Sequence, residues 1–212
     1  DIKENQFKSV YTRDSSFAIK GRAIVSRMAP RMRQGEEQTV TRTLANLGMP
    51  ILRTITGGGM IEGGSFCWLN STTAAVGRGI RVNDDGIEQL AEVLNRQGVG
   101  LMVVDLPAYS IHIDGWMLMI DVDLALIDPR GLSQTFLDEM SDMGIQRIEI
   151  TPDDNAWVVN GLAVSPGRVI MPEGLSDKTR EELDKHGVET ITVPYDKVQL
   201  NGGGIHCSTC PL

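Results

Sequence analysis

A helix that ends at a glycine recurs four times in this chain, and this recurrence limits the available folds more than any other feature. Each predicted helix is an amphipathic stretch that leads, after the glycine, into a short run rich in β-branched residues. The glycines are Gly48, Gly98, Gly144 and Gly187, so the intervals are 50, 46 and 43 residues. Glycine favours the left-handed conformation that closes a helix, and a nearly constant interval of this size is typical of repeat architectures. The predicted helices cover residues 35–47, 86–96, 132–143 and 176–185, and the predicted strands after them cover residues 51–55, 101–104, 148–150 and 190–193.

An apolar segment with a turn near its middle precedes each predicted helix. Lys20-Gly21 and Asn160-Gly161 interrupt two of these segments, and such pairs inside apolar runs indicate β-hairpins. The repeating unit is therefore two strands, a helix and a strand. This mixed order disfavours a doubly wound sheet and favours a radial α/β arrangement, with two unrelated α+β halves as the alternative. The predicted hairpins cover residues 17–25, 66–82, 116–127 and 157–164.

Length and composition narrow the class of protein. The chain has 212 residues, which fits one globular domain or at most two small ones. Its net charge of −8 disfavours binding to nucleic acid, because phosphates attract a basic surface. It has no apolar run long enough to span a membrane. Three cysteines at irregular spacing do not form a disulfide framework, so we expect a reducing, cytoplasmic setting. The sequence leaves open whether the protein forms a homo-oligomer.

Polar residues recur just before the hairpins, at matching positions of the repeats. Asp14, Glu62, His112 and Asp114 occupy these loops, and Cys207 lies in the loop after the last predicted strand. If the repeats surround an axis, these loops converge at one end. Three carboxylates in a small site favour a bound cation, which could be a metal ion or a guanidinium group that pairs with them bidentately. Each residue taken alone could instead be a turn residue, a solvated charge or a buried histidine.

The segment from Gly202 to Cys207 is rich in glycine and ends in a His-Cys pair. Glycines let the backbone approach a ligand closely, so this turn could hold a cysteine nucleophile over a small substrate. A different class of protein would use the same segment in a metal or redox site, with His206, Cys207, Cys210 and Cys67 as ligands. A glycine-rich surface tail is the simplest alternative.

Five motifs of the chain together resemble those of the guanidino-group-modifying enzymes, which include arginine deiminases, dimethylargininases, agmatine deiminases, arginine dihydrolases and amidinotransferases. Residues 11–14 resemble the F-x-R-D segment of that family, residues 62–64 its E-G-G motif, and residues 81–86 its R-x-N-x-x-G motif. Residues 112–114 are similar to its H-x-D motif, and residues 203–207 to its terminal G-G-x-H-C. The motifs occur in the family's order over nearly the whole chain.

The resemblance implies a fold and a set of roles. The fold is a pseudosymmetric α/β propeller of five ββαβ repeats; four are visible in residues 1–212, and we therefore expect a single domain whose first repeat lies outside this sequence. Cys207 would be the nucleophile, His112 the proton carrier, and Glu62 the residue that orients it. The guanidinium of a small cationic substrate would bind to Asp14 and Asp114. Arg81 would bind a substrate carboxylate.

The implied activity is hydrolysis of the guanidino C–N bond of arginine or a close derivative through a covalent thiouronium, with no cofactor and no metal ion. An amidinotransferase, which passes the amidino group to an amine, is the alternative within the family. A non-catalytic binding module and the cysteine-histidine metal module are the more distant alternatives.

Overall fold

The computed structural model of the protein describes residues 6–212. In this part of the chain, four repeats each contain one three-stranded sheet, in which an antiparallel hairpin is joined through a helix to a parallel third strand. The predicted ββαβ unit is therefore confirmed in all four repeats. The strands are β1 (Ser16–Ile19), β2 (Arg22–Val25), β3 (Ile51–Thr54), β4 (Phe66–Trp68), β5 (Thr73–Arg78), β6 (Gly100–Asp105), β7 (Met117–Asp121), β8 (Leu124–Ile127), β9 (Gln146–Glu149), β10 (Leu162–Ser165), β11 (Arg168–Pro172) and β12 (Glu189–Val193).

One helix connects the second and third strands of each repeat, and a short fifth helix follows β12. Side-chain caps explain where three of these helices begin: Asn83, Ser133 and Ser176 each accept a hydrogen bond from a backbone amide of the first helical turn. The predicted terminal glycines all have positive φ angles, for example 66° at Gly98, so they end the helices as expected. The helices are α1 (Glu36–Asn46), α2 (Asp84–Arg96), α3 (Gln134–Asp142), α4 (Asp177–Lys185) and α5 (Asp196–Gln199).

Three apolar clusters join the repeats side by side in chain order. Ile24 of the first repeat packs in one cluster with Val76 and Leu90 of the second. A second cluster joins the second and third repeats, and a third joins the third and fourth. Each repeat thus buries its sheet against a neighbour, which is the packing expected of a radial array. No helix in residues 6–212 has the length and apolarity needed to cross a membrane.

The fourth hairpin differs from its prediction. Residues 156–160 form a 3₁₀ turn, and the hairpin consists of β10 and β11, whose tip lies at Pro166-Gly167. The Asn160-Gly161 pair is therefore not a hairpin turn. The physical reason is that Asn160 is buried, and its side-chain amide is hydrogen-bonded to the backbone of Asp114 and of Cys207.

Candidate active site

Short 3₁₀ turns bring the predicted site residues to one end of the molecule. Asp14, Glu62, His112, Asp114 and Cys207 lie in these turns or directly beside them, and all five side chains are buried. Three of the turns lead straight into the first strand of a repeat, so the hairpins of the first three repeats position them. The turns are Thr12–Ser15, Gly63–Ser65, Ile113–Gly115 and His206–Ser208.

His112 lies between two carboxylates. Its Nε2 atom is 2.8 Å from Oε2 of Glu62, and its Nδ1 atom is 3.4 Å from Oδ1 of Asp14. Burial alone would lower the pKa of His112, but the charge of Asp14, the hydrogen bond of Glu62 and the charges of Asp114 and Glu62 outweigh burial and raise it to about 9. His112 is therefore a charged imidazolium at neutral pH and can donate a proton.

Glu62 holds His112 in this state. The Glu62 carboxylate is fully buried and also accepts hydrogen bonds from the Ala29 amide, at 2.9 Å, and from Nη1 of Arg81, at 3.0 Å. Burial favours the neutral acid, yet the hydrogen bond and charge of His112, with those of Arg81, lower the pKa of Glu62 below its usual value. Glu62 therefore stays ionised. The structure places Arg81 on this carboxylate, and its role toward a substrate carboxylate stays a prediction.

Gly64 explains why the loop after Glu62 contains glycines. A Cβ atom at Gly64 would lie 2.6 Å from Nδ1 of His112 and 2.8 Å from Oδ1 of Asp14. Such distances are too short for non-bonded atoms, and any side chain here would separate the two residues. The glycine is therefore required by the close approach of His112 to Asp14.

Cys207 and Asp114 form the other half of the site. The Cys207 Sγ atom is 3.7 Å from Oδ2 of Asp114, and the same carboxylate oxygen is 2.8 Å from Nδ1 of His206. Burial raises the pKa of the Cys207 thiol, and the negative charges of Asp114 and Asp14 raise it further. The thiol is therefore protonated in the free protein. A cation bound beside these carboxylates would reverse their effect on the thiol.

Asp14 keeps one carboxylate oxygen available. Its Oδ2 atom forms an ion pair with Nη1 of Arg33 at 2.5 Å, and Arg33 also bonds to Glu36. The Oδ1 atom is buried and has no hydrogen-bond partner among residues 6–212. Burial raises the pKa of Asp14 in spite of the positive charges of His112 and Arg33. The Oδ1 atom forms an ion pair with Nδ1 of His112 at 3.4 Å but no hydrogen bond within the described part of the chain, so it can still accept an N–H group.

A cavity of about 270 Å³ opens onto three of these residues. His112, Asp114 and Cys207 form its reactive wall, while Trp116 and Trp157 contribute aromatic surface. Asp114 is the one carboxylate in this lining among residues 6–212, whereas Asp14 and Glu62 contact His112 and lie outside the lining. The remaining lining residues are Tyr109, Ser110, Ile111, Gly115, Ala156, Asn160 and Gly202.

A family model for arginine deiminase matches residues 7–155. The chain belongs to the arginine deiminase family. Among curated proteins, it is 26% identical over 199 residues to the N(G),N(G)-dimethylarginine dimethylaminohydrolase of Pseudomonas aeruginosa, covering 94% of this chain and 74% of that protein. It is 25% identical over 243 residues to the arginine deiminase of Rhodococcus erythropolis, covering 96% of this chain and 59% of that protein.

Solved structures of similar proteins share the fold of this arginine deiminase family member. The DDAH of Pseudomonas aeruginosa complexed with citrulline superposes with a TM-score of 0.82 at 24% identity, over 95% of this chain and 75% of that one. The N-terminal domain of ArgZ, an arginine dihydrolase from cyanobacteria, superposes with a TM-score of 0.84 at 18% identity, over 98% of this chain and 76% of that one. These likenesses confirm the predicted propeller-like α/β fold.

In the part of the chain that the structure describes, the cysteines and His206 do not form the metal site that was the alternative prediction. Among residues 6–212, the group of such side chains whose ligand atoms lie within 4.8 Å of one another consists of Asp14, Glu62 and His112. It contains neither Cys207 nor Cys210. The three side chains already form ion pairs: Asp14 with Arg33, and Glu62 with both Arg81 and His112. This cluster is therefore not the cysteine-histidine ligand set that the sequence predicted as an alternative.

Three further residues, none of which was predicted to belong to the site, hold it together. Asn160 donates to the carbonyl of Asp114 at 3.0 Å and accepts from the amide of Cys207 at 3.3 Å. Arg13 donates to the carbonyl of His206 and to Oγ1 of Thr209, which fixes the loop that contains Cys207 to the first repeat. Arg33 anchors Asp14, as described above. Arg13 lies inside a recognised motif, so its position was a usable signal. No motif includes Arg33, which lies 19 residues after Asp14.

Proposed function

We propose that the protein is a cysteine-dependent hydrolase that acts on the guanidino C–N bond of arginine or a close derivative. The observation that carries the proposal is the environment of Cys207: its thiol lies 3.7 Å from the Asp114 carboxylate, in a cavity whose reactive wall also holds the charged His112. A guanidinium satisfies this environment because it is planar, cationic and rich in N–H donors. Membership of the arginine deiminase family supports the same class of reaction.

In this mechanism the substrate activates the nucleophile. The guanidinium binds between Asp14 and Asp114 and compensates the charges that raise the pKa of the Cys207 thiol. The thiol proton leaves to water, and the Sγ thiolate forms a bond to the central guanidino carbon. His112 gives its proton to the nitrogen that departs, the C–N bond breaks, and a thiouronium remains on Sγ.

His112 then acts as a general base. The neutral imidazole takes a proton from a water molecule as the water oxygen bonds to the same carbon, and the C–S bond breaks to return the Cys207 thiolate. Glu62 supports both steps, since it orients His112 and favours its charged form. If an amine replaced water in this step, the protein would be an amidinotransferase.

A product screen with matched cysteine variants tests the proposal. The wild type, Cys207→Ala and Cys210→Ala would be incubated with arginine, methylated arginines, agmatine and guanidinoacetate, with and without an amine acceptor. We expect ammonia, an alkylamine or a ureido product from the wild type and from Cys210→Ala, and none from Cys207→Ala. Amidino transfer to the acceptor would favour the alternative. Turnover that persists in Cys207→Ala, or no turnover of any guanidine, would refute the proposed function.

A further inference from the structure

His206 is a buried histidine that the mechanism above does not use. Its side chain is only 15% exposed, and its Nδ1 atom lies 2.8 Å from Oδ2 of Asp114. Unlike His112, it is outside the lining of the cavity among the described residues. Its contact with the site therefore passes through Asp114.

The position of Asp114 determines which nitrogen of the His206 ring carries the hydrogen. Burial lowers the pKa of His206, so the ring is neutral at neutral pH and carries one N–H. Because Nδ1 faces a carboxylate oxygen, the hydrogen must be on Nδ1, where it donates to Asp114. The opposite tautomer would place two acceptors against each other.

The backbone of His206 is held by its own contacts. Its carbonyl accepts hydrogen bonds from Nε of Arg13 at 3.2 Å and from Oγ1 of Thr209 at 2.8 Å, and the next amide, that of Cys207, donates to Asn160. The imidazole thus extends from a fixed point toward Asp114. The oxygen that it binds is the one that lies 3.7 Å from Sγ of Cys207.

We propose that His206 is a positioning residue: through its Nδ1 hydrogen bond it holds the Asp114 carboxylate beside the Cys207 thiol, in the orientation that receives the substrate guanidinium. The inference rests on the proposed function for its catalytic consequence. The orientation of Asp114 by His206 does not depend on which guanidine is the substrate.

Three substitutions at this position separate a hydrogen bond from mere packing. His206→Asn retains a donor where Nδ1 lies, His206→Gln places its donor farther along the side chain, and His206→Leu has none. We expect kcat/KM to stay within about 3-fold of the wild type in His206→Asn and to fall about 10- to 100-fold in the other two, as for the loss of a hydrogen bond to a charged group. Thermal unfolding of each variant would show that all of them fold.

A second measurement does not need turnover. The rate at which chloroacetamide alkylates Cys207 at pH 8, followed by peptide mass spectrometry, reports how near a negative charge lies to Sγ. We expect faster alkylation in His206→Gln and His206→Leu, because Asp114 is no longer held beside the thiol, and an unchanged rate in His206→Asn.

The outcomes distinguish this inference from the proposed function. Equal effects of the asparagine and glutamine variants on both measurements would overturn the role of His206, even if the wild type hydrolyses a guanidine. A wild type without activity would refute the function alone, since the alkylation rates would still decide whether His206 positions Asp114.

Discussion

Replacing Glu62 by glutamine should lower the pKa of His112 while it retains the shape of the pair. The ring lies 2.8 Å from Oε2 of Glu62 and 3.4 Å from Oδ1 of Asp14, and its pKa is raised to about 9 from an ordinary value of 6.5. This difference corresponds to about 3 kcal/mol in favour of the imidazolium. An opposite charge within about 4–6 Å changes a pKa by about 1–3 units, so in Glu62→Gln we expect the value to fall by about 1–2 units while Asp14 maintains the remainder.

The assay is an NMR titration of the histidine rings. The chain contains three histidines, so substitution of His186 and His206 assigns the third resonance to His112. Glu92→Gln is the matched control, because it removes a carboxylate from an exposed pair with Arg53. It should leave the titration of His112 unchanged.

The same interaction gives the free energy of unfolding a defined pH dependence. The folded-state pKa of His112 lies above its unfolded-state value, so its contribution is fully present below about pH 6.5 and is lost as the pH rises through about 9. We expect up to about 3 kcal/mol of stability to disappear over this interval, and a smaller loss in Glu62→Gln. A ring that titrates near 6.5 in the wild type, or near 9 in Glu62→Gln, would refute the assignment of His112 as a carboxylate-stabilised acid.

Two other substitutions test the geometry of the site. Gly64→Ala should decrease turnover at least 10-fold and lower the pKa of His112, because the new methyl group separates that ring from its carboxylate; Gly100→Ala, where a Cβ has its nearest neighbour at 3.7 Å, should do neither, and equal effects of the two would contradict the close-approach argument. Asn160→Ala should lower the free energy of unfolding by about 1–3 kcal/mol in urea titrations, since it leaves the buried amide of Cys207 unpaired; an unchanged midpoint would show that this bond is not needed.

Local patterns predicted most of the secondary structure. The helix following Asn83 was predicted from residue 86 and begins at Asp84, and the terminal glycine was placed correctly in every repeat. These features depend on backbone preferences within a few residues, which the sequence expresses directly. The prediction of the fourth hairpin was wrong because contacts between distant residues outweighed a local turn signal. Asn160-Gly161 is a good local turn signal, but the amide of Asn160 is bound by backbone groups 46 and 47 residues away.

The candidate site was predictable as a set of positions but not as a network. Matching positions of the repeats predicted that Asp14, Glu62, His112 and Asp114 would converge with Cys207, and the structure brings all five together. Their partners could not be predicted. The Arg33–Asp14 pair and the His206–Asp114 bond depend on how loops of different repeats pack, which no periodicity encodes.

The site residues come from distant parts of the chain, and Cys207 is the last of them to be synthesised. The carboxylates and His112 are made first, whereas Cys207 is added after all four repeats. Arg13 can bind the loop that contains Cys207 only across a separation of 193 residues. Bringing such distant residues together costs conformational entropy, so we expect these contacts to form late in folding. During synthesis the acidic residues therefore exist before the thiol, but the contacts that hold Asp114 and Arg13 form only once His206 and Thr209 have been made.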